Sequence, residues 1–584
     1  MKNGLLANRQ RAIFEKGIWH GLKMLKETGS VEAFDIASGK SNAPLRGFVY
    51  RDSDLYKWLE AAAYALALNP DSKLEREVDE IIEKIANAQD SDGYVNTSFA
   101  GENKCKRFSN LAKDHEIYCA GHLIQAAVAH HRATGKSNLL EIAKRFAQHL
   151  YEVFGPSGRL GTCGHPVIEM AMVELYRETA DEKWLTMAKR FLDARGHNVA
   201  GGTEYFVDHL PFRQQKKAVG HAVRALYLYA GATDIFLETG EDALKETVLA
   251  LWEDLQNGKT YVTGGVGARH EGEAIGEPHE LPNLRAYAET CAAIASMQFN
   301  WRLFAMSAHP RCLDALETAL YNGFLAGVSW DGTRYFYVNP LESSGNHERQ
   351  PWYDCACCPP NIYRTLASIQ GVFFAKDDEG IFVNFFEPCI LRDEDYSLEI
   401  EANYPWGEEV AIKIMKSKEF TLRLRIPEWC KTLAINGERI SRNGFFEIRR
   451  EWKKGDTVKL HMEMPVHRVF AHPRMRENRN CISLMRGPIV YCFESAHNKS
   501  LPVRDISITN DEKPKTISFG DFDGITALEV PVLDGKNLSN APSYAYDEYP
   551  KFERVKTMAT AIPYMTWANR GASEMLVWIP LAEK

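Results

Sequence analysis

The chain has 584 residues, which is too many for one compact hydrophobic core, so several domains are expected. Its composition, 45% hydrophobic and 25% charged, is that of an ordinary globular protein. A formal net charge of −8 and the lack of lysine or arginine runs exclude general affinity for phosphate backbones, so no nucleic acid partner is expected. No stretch of about 18 apolar residues predicts a membrane span, and the first residues lack a secretory pattern, so we expect a cytoplasmic protein.

The first part of the chain, to about residue 375, follows a helical pattern. Apolar residues recur at spacings of three and four in about eleven segments, for example 55–68 and 116–131. Several of these segments are apolar on more than one face, which is typical of an inner ring of helices covered by an outer ring. We therefore predict an (α/α)6 barrel over residues 1–375. A stacked helical solenoid is the alternative, although no fixed-length repeat supports it.

After residue 376 the apolar pattern changes to a period of two. Short alternating segments such as 381–391 and 396–405 are separated by turn residues, which predicts a β-sandwich over residues 376–495. Residues 496–584 supply further strands, which either complete this sandwich or form a second one. The predicted fold is therefore mostly α plus β, with a barrel domain followed by one or two β-sandwich domains.

Three of the twelve cysteines are clustered at Cys355, Cys357 and Cys358. Two prolines and a helical pattern follow, and because proline is favoured in the first helical turn, Cys357 and Cys358 are predicted at a helix N-terminus. The helix dipole and the free N–H groups there favour anions and lower the pKa of a thiol. A cation would remove the repulsion between two adjacent thiolates. Zn²⁺ is the expected cation because it binds cysteine sulfur and carboxylate oxygen.

A second candidate pair of metal ligands is Glu289 and Cys291. Because these two residues are two positions apart, their side chains would point to different sides of a regular helix. They can chelate one ion if Glu289 lies on the entry turn and Cys291 in the first helical turn. Taken alone, a glutamate two residues from a cysteine is more often unrelated surface and core, so the residues themselves leave both interpretations open.

Residues 264–293 and 355–361 together resemble glycoside hydrolase family 127, the cysteine- and zinc-dependent β-L-arabinofuranosidases. The resemblance covers most of the chain. Its further segments are 52–62, 89–97, 115–130, 163–171, 208–225, 335–342, 424–430 and 486–491. It implies an (α/α)6 barrel with β-sandwich domains, a Zn²⁺ cofactor and a carbohydrate substrate. The expected partners are this carbohydrate and, where the chain self-associates, a second copy in a homodimer.

The resemblance also implies catalytic and metal-binding roles. The metal ligands would be Glu289, Cys291, Cys357 and Cys358. Cys357 would also be the nucleophile and Glu273 the general acid/base of a retaining hydrolase. Such an enzyme would release β-L-arabinofuranose from oligosaccharides or glycoconjugates through a thioglycosyl intermediate.

One pair of residues departs from the family pattern. Family members often carry an aromatic or apolar residue before the Gly-Glu pair, whereas this chain has His270 and Glu271. The departure leaves the implied catalytic residues intact and places extra charge near the acid/base.

Four histidines and one tyrosine are candidates for contacts with the sugar. His165 and His221 are the first choices within the family pattern. His115 and His122 come next, and because they are seven residues apart they are predicted to share a helix face. A lone histidine is more often a buried structural residue, so the sequence does not decide between these two. Tyr337 resembles the substrate-binding tyrosine of the family.

Alternative functions remain open on the sequence. The substrate could be a related furanoside, such as one of aceric acid. A non-catalytic sugar-binding protein with structural zinc would use the same metal ligands, although Glu273 beside the site argues against it. A barrel enzyme of the sugar epimerase or unsaturated-uronide hydrolase kind would not need clustered thiolates.

Overall fold

The computed structural model describes residues 1–441, 444–509, 513–522, 524–535 and 554–582, so the predicted strand region 496–584 lies partly outside the described residues. Helices fill the first part of the chain and strands the rest. Within the described ranges the α-helices are α1 (Leu5–Ala12), α2 (Ile18–Glu27), α3 (Glu32–Ala37), α4 (Arg51–Leu68), α5 (Ser72–Ala88), α6 (Glu116–Thr134), α7 (Asn138–Phe154), α8 (Ile168–Thr179), α9 (Glu182–Asp193), α10 (Ala222–Thr239), α11 (Asp242–Gln256), α12 (Thr290–Ser307), α13 (Pro310–Thr318) and α14 (Cys358–Ser368). Across these same ranges, no helix is long and apolar enough to cross a bilayer.

Six of the helices form a closed inner ring. Helix α4 contacts α6, and the contacts continue through α8, α10, α12 and α14 back to α4. Outer helices alternate with the inner ones along the chain, and α5, α7, α9, α11 and α13 each contact the inner helix before them. Because every return runs through an outer helix, the inner helices are parallel. The ring has the arrangement of an (α/α)6 barrel.

The two layers differ in how they are buried. Inner helix α4 is buried along most of its length, including polar residues such as Asp54 and Lys57. Outer helix α5 buries one stripe, with Leu74, Val78 and Ile81 at helical spacing. This difference is the physical basis of the apolar pattern on several faces that the sequence displays. The predicted combination of a mostly helical region and a β-rich region is confirmed.

Strands follow the barrel and build three sheets. The described strands are β1 (Glu342–Ser344), β2 (Phe374–Lys376), β3 (Gly380–Val383), β4 (Cys389–Arg392), β5 (Ser397–Ala402), β6 (Glu409–Ile414), β7 (Lys418–Ile426), β8 (Leu433–Ile435), β9 (Glu438–Ile440), β10 (Gly444–Trp452), β11 (Thr457–Met462), β12 (Val466–Phe470), β13 (Cys481–Arg486), β14 (Ile489–Glu494), β15 (Lys515–Ser518), β16 (Thr526–Asp534), β17 (Val555–Pro563), β18 (Glu574–Leu576) and β19 (Ile579–Pro580).

Two of the three sheets interleave along the chain, and the third collects the C-terminal strands. One sheet has the order β10-β7-β3-β2 and a second has the order β4-β5-β6-β11-β8-β9. The third sheet contains β12 to β19 together with β1, which pairs Glu342 with Leu576. Strand β14 pairs with β17, so strands from both sides of residue 495 share this sheet. The domain limits at 375/376 and 495/496 stay a prediction.

A buried ion pair joins the helical ring to the four-stranded sheet. Arg425 of β7 lies 2.6 Å from the Asp314 carboxylate and 2.9 Å from that of Glu317, both on α13. Trp429 donates to the same Glu317 carboxylate at 3.1 Å, and the Tyr404 hydroxyl donates to it as well. Arg425 is fully buried, so its charge depends on these two carboxylates for solvation.

We expect Arg425→Met to destabilise the protein by about 3–5 kcal/mol, because Glu317 would remain buried without its cation. Thermal unfolding should show a clearly lower apparent melting temperature. Arg449→Met is the matched control, because Arg449 is exposed on neighbouring strand β10 and should change stability by about 0.5 kcal/mol or less. Equal melting temperatures for the two variants would show that this ion pair does not hold the sheet to the barrel.

Candidate active site

A small pocket lies where the N-termini of the six inner helices meet. Five of these helices place their N-cap residue at the pocket wall, and α8 contributes a residue two positions before its N-cap. The residues are Tyr50 (α4), His115 (α6), His165 (α8), His221 (α10), Glu289 (α12) and Cys357 (α14). The first backbone N–H groups of a helix have no intrahelical partner, so this end of the ring favours polar and anionic groups. The cavity has a volume of about 210 Å³.

The four predicted metal ligands form one compact cluster. Cys291 Sγ lies 3.7 Å from Cys357 Sγ and 3.3 Å from Cys358 Sγ, and the latter two sulfurs are 3.8 Å apart. Glu289 Oε1 is 3.5 Å from Cys357 Sγ and 3.7 Å from Cys358 Sγ. A tetrahedral ion with thiolates at about 2.3 Å separates its sulfurs by about 3.8 Å, and sulfur from oxygen by about 3.6 Å. The cluster therefore matches a tetrahedral metal shell.

The local helix geometry explains why these four residues converge. Glu289 is the N-cap of α12 and Cys291 lies in its first turn, while Cys357 is the N-cap of α14 and Cys358 its first residue. The predicted placement of Cys357 and Cys358 at a helix N-terminus is confirmed, and so is the entry-turn arrangement that chelation by Glu289 and Cys291 requires. Because α12 contacts α14, the two pairs face each other.

The electrostatics of the cluster also fit a cation. Glu289 Oε2 is buried and has no hydrogen-bond partner among the described residues. Burial, together with the neighbouring Cys357, raises the pKa of Glu289, and burial also raises the pKa of the Cys358 thiol. Four acidic groups in a low-dielectric site cannot all ionise alone, and a divalent ion removes this cost. The residues can therefore hold a metal ion.

The two adjacent cysteines have different environments. Cys358 is fully buried, whereas Cys357 is partly exposed and lines the pocket. The Tyr337 hydroxyl lies 3.1 Å from Cys357 Sγ, where it can donate to a thiolate. The third clustered cysteine, Cys355, also reaches the pocket, but its contact with Cys357 and its burial raise its pKa. Of the two adjacent cysteines, only Cys357 presents its sulfur to a bound molecule.

Glu273 enters the pocket on a tight turn and meets His221. Both Gly272 and Glu273 have left-handed backbone conformations, with φ of 68° and 50°, which is a strained geometry for glutamate. His221 Nε2 lies 2.9 Å from the Glu273 carboxylate. His221 Nδ1 accepts from the Val223 N–H at 3.2 Å, so the neutral ring carries its proton on Nε2 and donates to Glu273.

The pKa directions of this pair follow from burial and from that hydrogen bond. Burial lowers the pKa of His221, which favours the neutral ring. Burial raises the pKa of Glu273, but the hydrogen bond and charge of His221, added to the contacts with Glu289 and Tyr287, together lower it by more. The carboxylate oxygens of Glu273 and Glu289 and a ring nitrogen of His221 lie within 4.8 Å of one another. Glu289 thus lies close both to the sulfur of Cys357 and to the carboxylate of Glu273.

His115 and His165 face the pocket as neutral hydrogen-bond acceptors. His115 Nδ1 donates to the Lys113 carbonyl at 2.5 Å, and His165 Nδ1 donates to the Pro166 carbonyl at 3.1 Å. Each ring therefore keeps an unprotonated Nε2. Burial, with a contribution from Arg224, lowers the pKa of His115 to about 4 and that of His165 well below its usual value. Both rings are neutral at neutral pH.

The structure does not place His122 at the pocket wall. Its ring is fully buried and packs edge-on against Tyr118, with centroids 4.6 Å apart. Neither ring nitrogen has a partner among the described residues. Tyr118 itself lines the pocket, so it separates His122 from the cavity. Of the two histidines that the sequence left undecided, His115 is the one that reaches the pocket.

Several pocket residues had no role in the sequence prediction. Arg224 donates to the Gly164 carbonyl at 3.1 Å and to the Tyr205 hydroxyl at 3.3 Å, and its guanidinium packs over the Tyr205 ring. Its position three residues after His221, on the same helix face, is a usable sequence signal. Tyr50 lies 3.4 Å from Cys355 Sγ. This contact joins residues more than 300 positions apart, so no local sequence pattern could have predicted it.

Lys57 adds a buried positive charge behind the metal cluster. It lies 3.1 Å from the Asp54 carboxylate and 3.5 Å from the backbone carbonyl of Cys357. Burial lowers the pKa of Lys57, but its neighbours, first Tyr118 and Asp54 and then the cluster cysteines, together raise it by more, so the ammonium stays charged. The sequence signal that could have identified Lys57 as a buried functional residue is its position within the apolar stretch of α4.

Family models match nearly the whole chain. The model described as "Beta-L-arabinofuranosidase, GH127 catalytic domain" matches residues 1–371. The family 127 middle and C-terminal domain models match residues 380–464 and 466–580. The chain belongs to glycoside hydrolase family 127. The family resemblance predicted from the sequence is therefore confirmed.

Relatives in family 127 match over nearly their full length. The non-reducing end β-L-arabinofuranosidase of Bifidobacterium longum subsp. longum is 33% identical, over 94% of this chain and 92% of that protein. The crystal structure of a GH127 β-L-arabinofuranosidase from Geobacillus stearothermophilus T6 is 35% identical, with a TM-score of 0.93 over 100% of this chain and 99% of that chain. A second GH127 β-arabinofuranosidase structure is also 35% identical, with a TM-score of 0.92 over 100% of this chain and 96% of that chain.

We expect Cys358→Ser to lose the bound metal, because serine replaces a thiolate that completes the four-ligand shell. Metal analysis of the purified protein should give about one ion per chain for the wild type and far less for the variant. Cys355→Ser is the matched control, since Cys355 belongs to the same sequence cluster but lies outside the four-ligand group. Equal metal loss in both variants would contradict the ligand assignment.

Proposed function

We propose that this family 127 chain is a retaining β-L-arabinofuranosidase that removes terminal β-L-arabinofuranose with Cys357 as nucleophile and Glu273 as general acid/base. The observation that carries the proposal is that one small pocket holds the Cys357 sulfur and the Glu273 carboxylate, each close to Glu289. The names of the relatives, which are arabinofuranosidases, support the choice of sugar. A cavity of about 210 Å³ suits a single terminal sugar, because it is smaller than the sites of larger ligands, about 300–1,000 Å³.

We further propose that the metal is zinc. Its ligands would be Glu289, Cys291, Cys357 and Cys358, whose sulfur-rich donor set and spacing suit a tetrahedral zinc shell. When bound, Zn²⁺ would keep the Cys357 sulfur deprotonated and oriented toward the sugar. The N-terminus of α14 and the Tyr337 hydroxyl stabilise the same negative charge from the protein side.

The reaction would proceed in two displacements. In the first, the Cys357 sulfur attacks the anomeric carbon, the bond to the leaving oxygen breaks, and Glu273, which must have taken up a proton before this step, gives that proton to the oxygen. In the second, Glu273 takes a proton from water, the water oxygen attacks the anomeric carbon, and the carbon–sulfur bond breaks to restore the thiolate. Two inversions give net retention of configuration.

Two neutral histidine rings and the Arg224 guanidinium would orient the sugar. His115 and His165 each offer an unprotonated Nε2 that can accept a hydrogen bond from a sugar hydroxyl. Arg224 supplies a donor on the same wall. These contacts would hold the anomeric carbon near Cys357 without adding a competing carboxylate.

We expect Cys357→Ala and Glu273→Gln to lose activity in different ways on para-nitrophenyl β-L-arabinofuranoside. Cys357→Ala should abolish turnover, because no nucleophile remains. Glu273→Gln should turn over about 10²- to 10⁴-fold more slowly. With this good leaving group, it should also accumulate enzyme that carries one covalent pentosyl group, detectable by intact-protein mass spectrometry, because the second step lacks its base.

The matched control is Glu271→Gln, which removes an exposed carboxylate on the same turn and should leave turnover of this neutral substrate nearly unchanged. Retained activity in Cys357→Ala, or pentosyl transfer to a residue other than Cys357, would refute the assigned nucleophile. A chain that binds L-arabinose but turns over no furanoside would be a sugar-binding protein instead.

We expect His221→Ala to lower kcat/KM about 10- to 150-fold, the effect of losing a hydrogen bond to a charged group. His221→Gln keeps an N–H donor near Glu273 and should recover part of this loss. Steady-state kinetics with unchanged thermal stability would test the positioning role. Equal activity of the Ala and Gln variants would mean that the His221 hydrogen bond does not orient Glu273.

A further inference from the structure

A larger cleft lies beside the pocket, between the barrel and the C-terminal sheet. Its volume is about 810 Å³, and it separates the loop at residues 268–285 from the loop at residues 471–479. The arginines of this basic cleft are Arg269, Arg285, Arg474, Arg476 and Arg479. The proposed catalytic residues Cys357 and Glu273 lie outside its wall. The cleft therefore needs a role of its own.

The cleft is positively charged on a chain whose formal net charge is −8. Five arginines face three glutamates, Glu271, Glu280 and Glu477. Arg269 forms a two-pronged pair with Glu280, at 2.7 and 2.5 Å, and Arg285 lies 3.3 Å from Glu271.

The C-terminal side of the cleft keeps the excess charge. Glu477 accepts from the Asn283 backbone N–H at 2.7 Å and forms no ion pair in the described ranges. Arg474, Arg476 and Arg479 likewise have no carboxylate within 4 Å among the residues that the structure describes. Three exposed guanidinium groups therefore face the cleft with unused hydrogen-bond donors.

One turn connects the basic cleft with the proposed catalytic pocket. Glu271 lines the cleft and Glu273, two residues later, lines the pocket. His270 lines the cleft and packs its ring edge-on against Tyr287, at 5.0 Å between centroids. Because Glu273 would protonate the oxygen of the leaving group, the aglycone must pass this turn. The cleft begins on its far side.

The walls of the cleft are fixed before a ligand binds. Asn283 of the barrel donates its side-chain amide to Asn478 of the C-terminal loop at 2.6 Å. His279 stacks on His472 with centroids 4.1 Å apart and an interplanar angle of 6°. Burial, His472 and Arg474 lower the pKa of His279, so this ring is neutral and the arginines carry the positive charge of the cleft.

We propose that the basic cleft binds the aglycone and that this aglycone is anionic, so the substrate class is an acidic oligosaccharide or glycoconjugate with a terminal arabinofuranose. The planar guanidinium fork matches the paired oxygens of a carboxylate or a sulfate ester. The inference rests on the proposed function, because it takes Glu273 as the proton donor to the aglycone.

The test compares matched disaccharides in which β-L-arabinofuranose is linked to galacturonic acid, to galactose or to a galactose sulfate. For the wild type we expect kcat/KM to be about 3- to 30-fold higher for the uronide than for the neutral disaccharide, mainly through KM. The preference should shrink as salt is added, since the arginines are exposed. Arg474→Gln with Arg476→Gln should remove this preference by lowering kcat/KM for the uronide to about that for the neutral disaccharide.

A matched control double variant, Arg439→Gln with Arg449→Gln, removes two exposed arginines from the middle sheets and should keep the preference. Equal wild-type kcat/KM for the charged and neutral disaccharides, or a preference that survives the cleft variant, would overturn the inference while the proposed function stands. Failure to cleave any of the three disaccharides or the aryl furanoside would remove both proposals. If the sulfated disaccharide is preferred as strongly as the uronide, the cleft recognises charge. If only the uronide is preferred, the cleft recognises the carboxylate. Both results support an anionic aglycone.

Discussion

The convergence of six helix N-termini is the constraint on which the rest of the site depends. Each inner helix returns through an outer one, so all six N-termini lie at one end of the ring and their unpaired N–H groups point toward the pocket. On α12 and α14 this end holds the acidic ligands. On α6, α8 and α10 it holds the neutral rings of His115, His165 and His221. Ring closure therefore sets both the position of the site and the type of residue that suits each helix.

Buried negative charge is the main energetic cost of this arrangement. Three thiols and a carboxylate lie within 4.8 Å of one another, where isolated ionised groups are strongly disfavoured. Two helix N-termini, the Lys57 ammonium and the Tyr337 hydroxyl each offset part of this cost, and a divalent cation offsets most of it. The same balance separates Cys357 from Cys358. Both sulfurs can be stabilised as thiolates, but only that of Cys357 reaches the pocket.

Local rules predicted the parts of the site that depend on helix boundaries. Prolines after Cys358 marked the start of α14, and the i, i+2 spacing of Glu289 and Cys291 is usable because Glu289 is an N-cap. Periodicity failed where a residue leaves the helix: His115 has a left-handed φ of 58°, so it does not share a face with His122. Contacts between distant segments, such as that of Asn283 with Asn478, leave no trace in local periodicity.

The pocket and the basic cleft divide recognition of the substrate between two kinds of structure. The pocket is built on rigid helix ends, where a shift of one residue would displace a metal ligand. The cleft is built on two loops, held by contacts such as the His279–His472 stack, and loops accept substitutions that helix ends do not. The two sites meet at the turn Glu271–Glu273. Changes in the arginine loops can therefore alter which aglycone is accepted while the geometry at Cys357 stays the same.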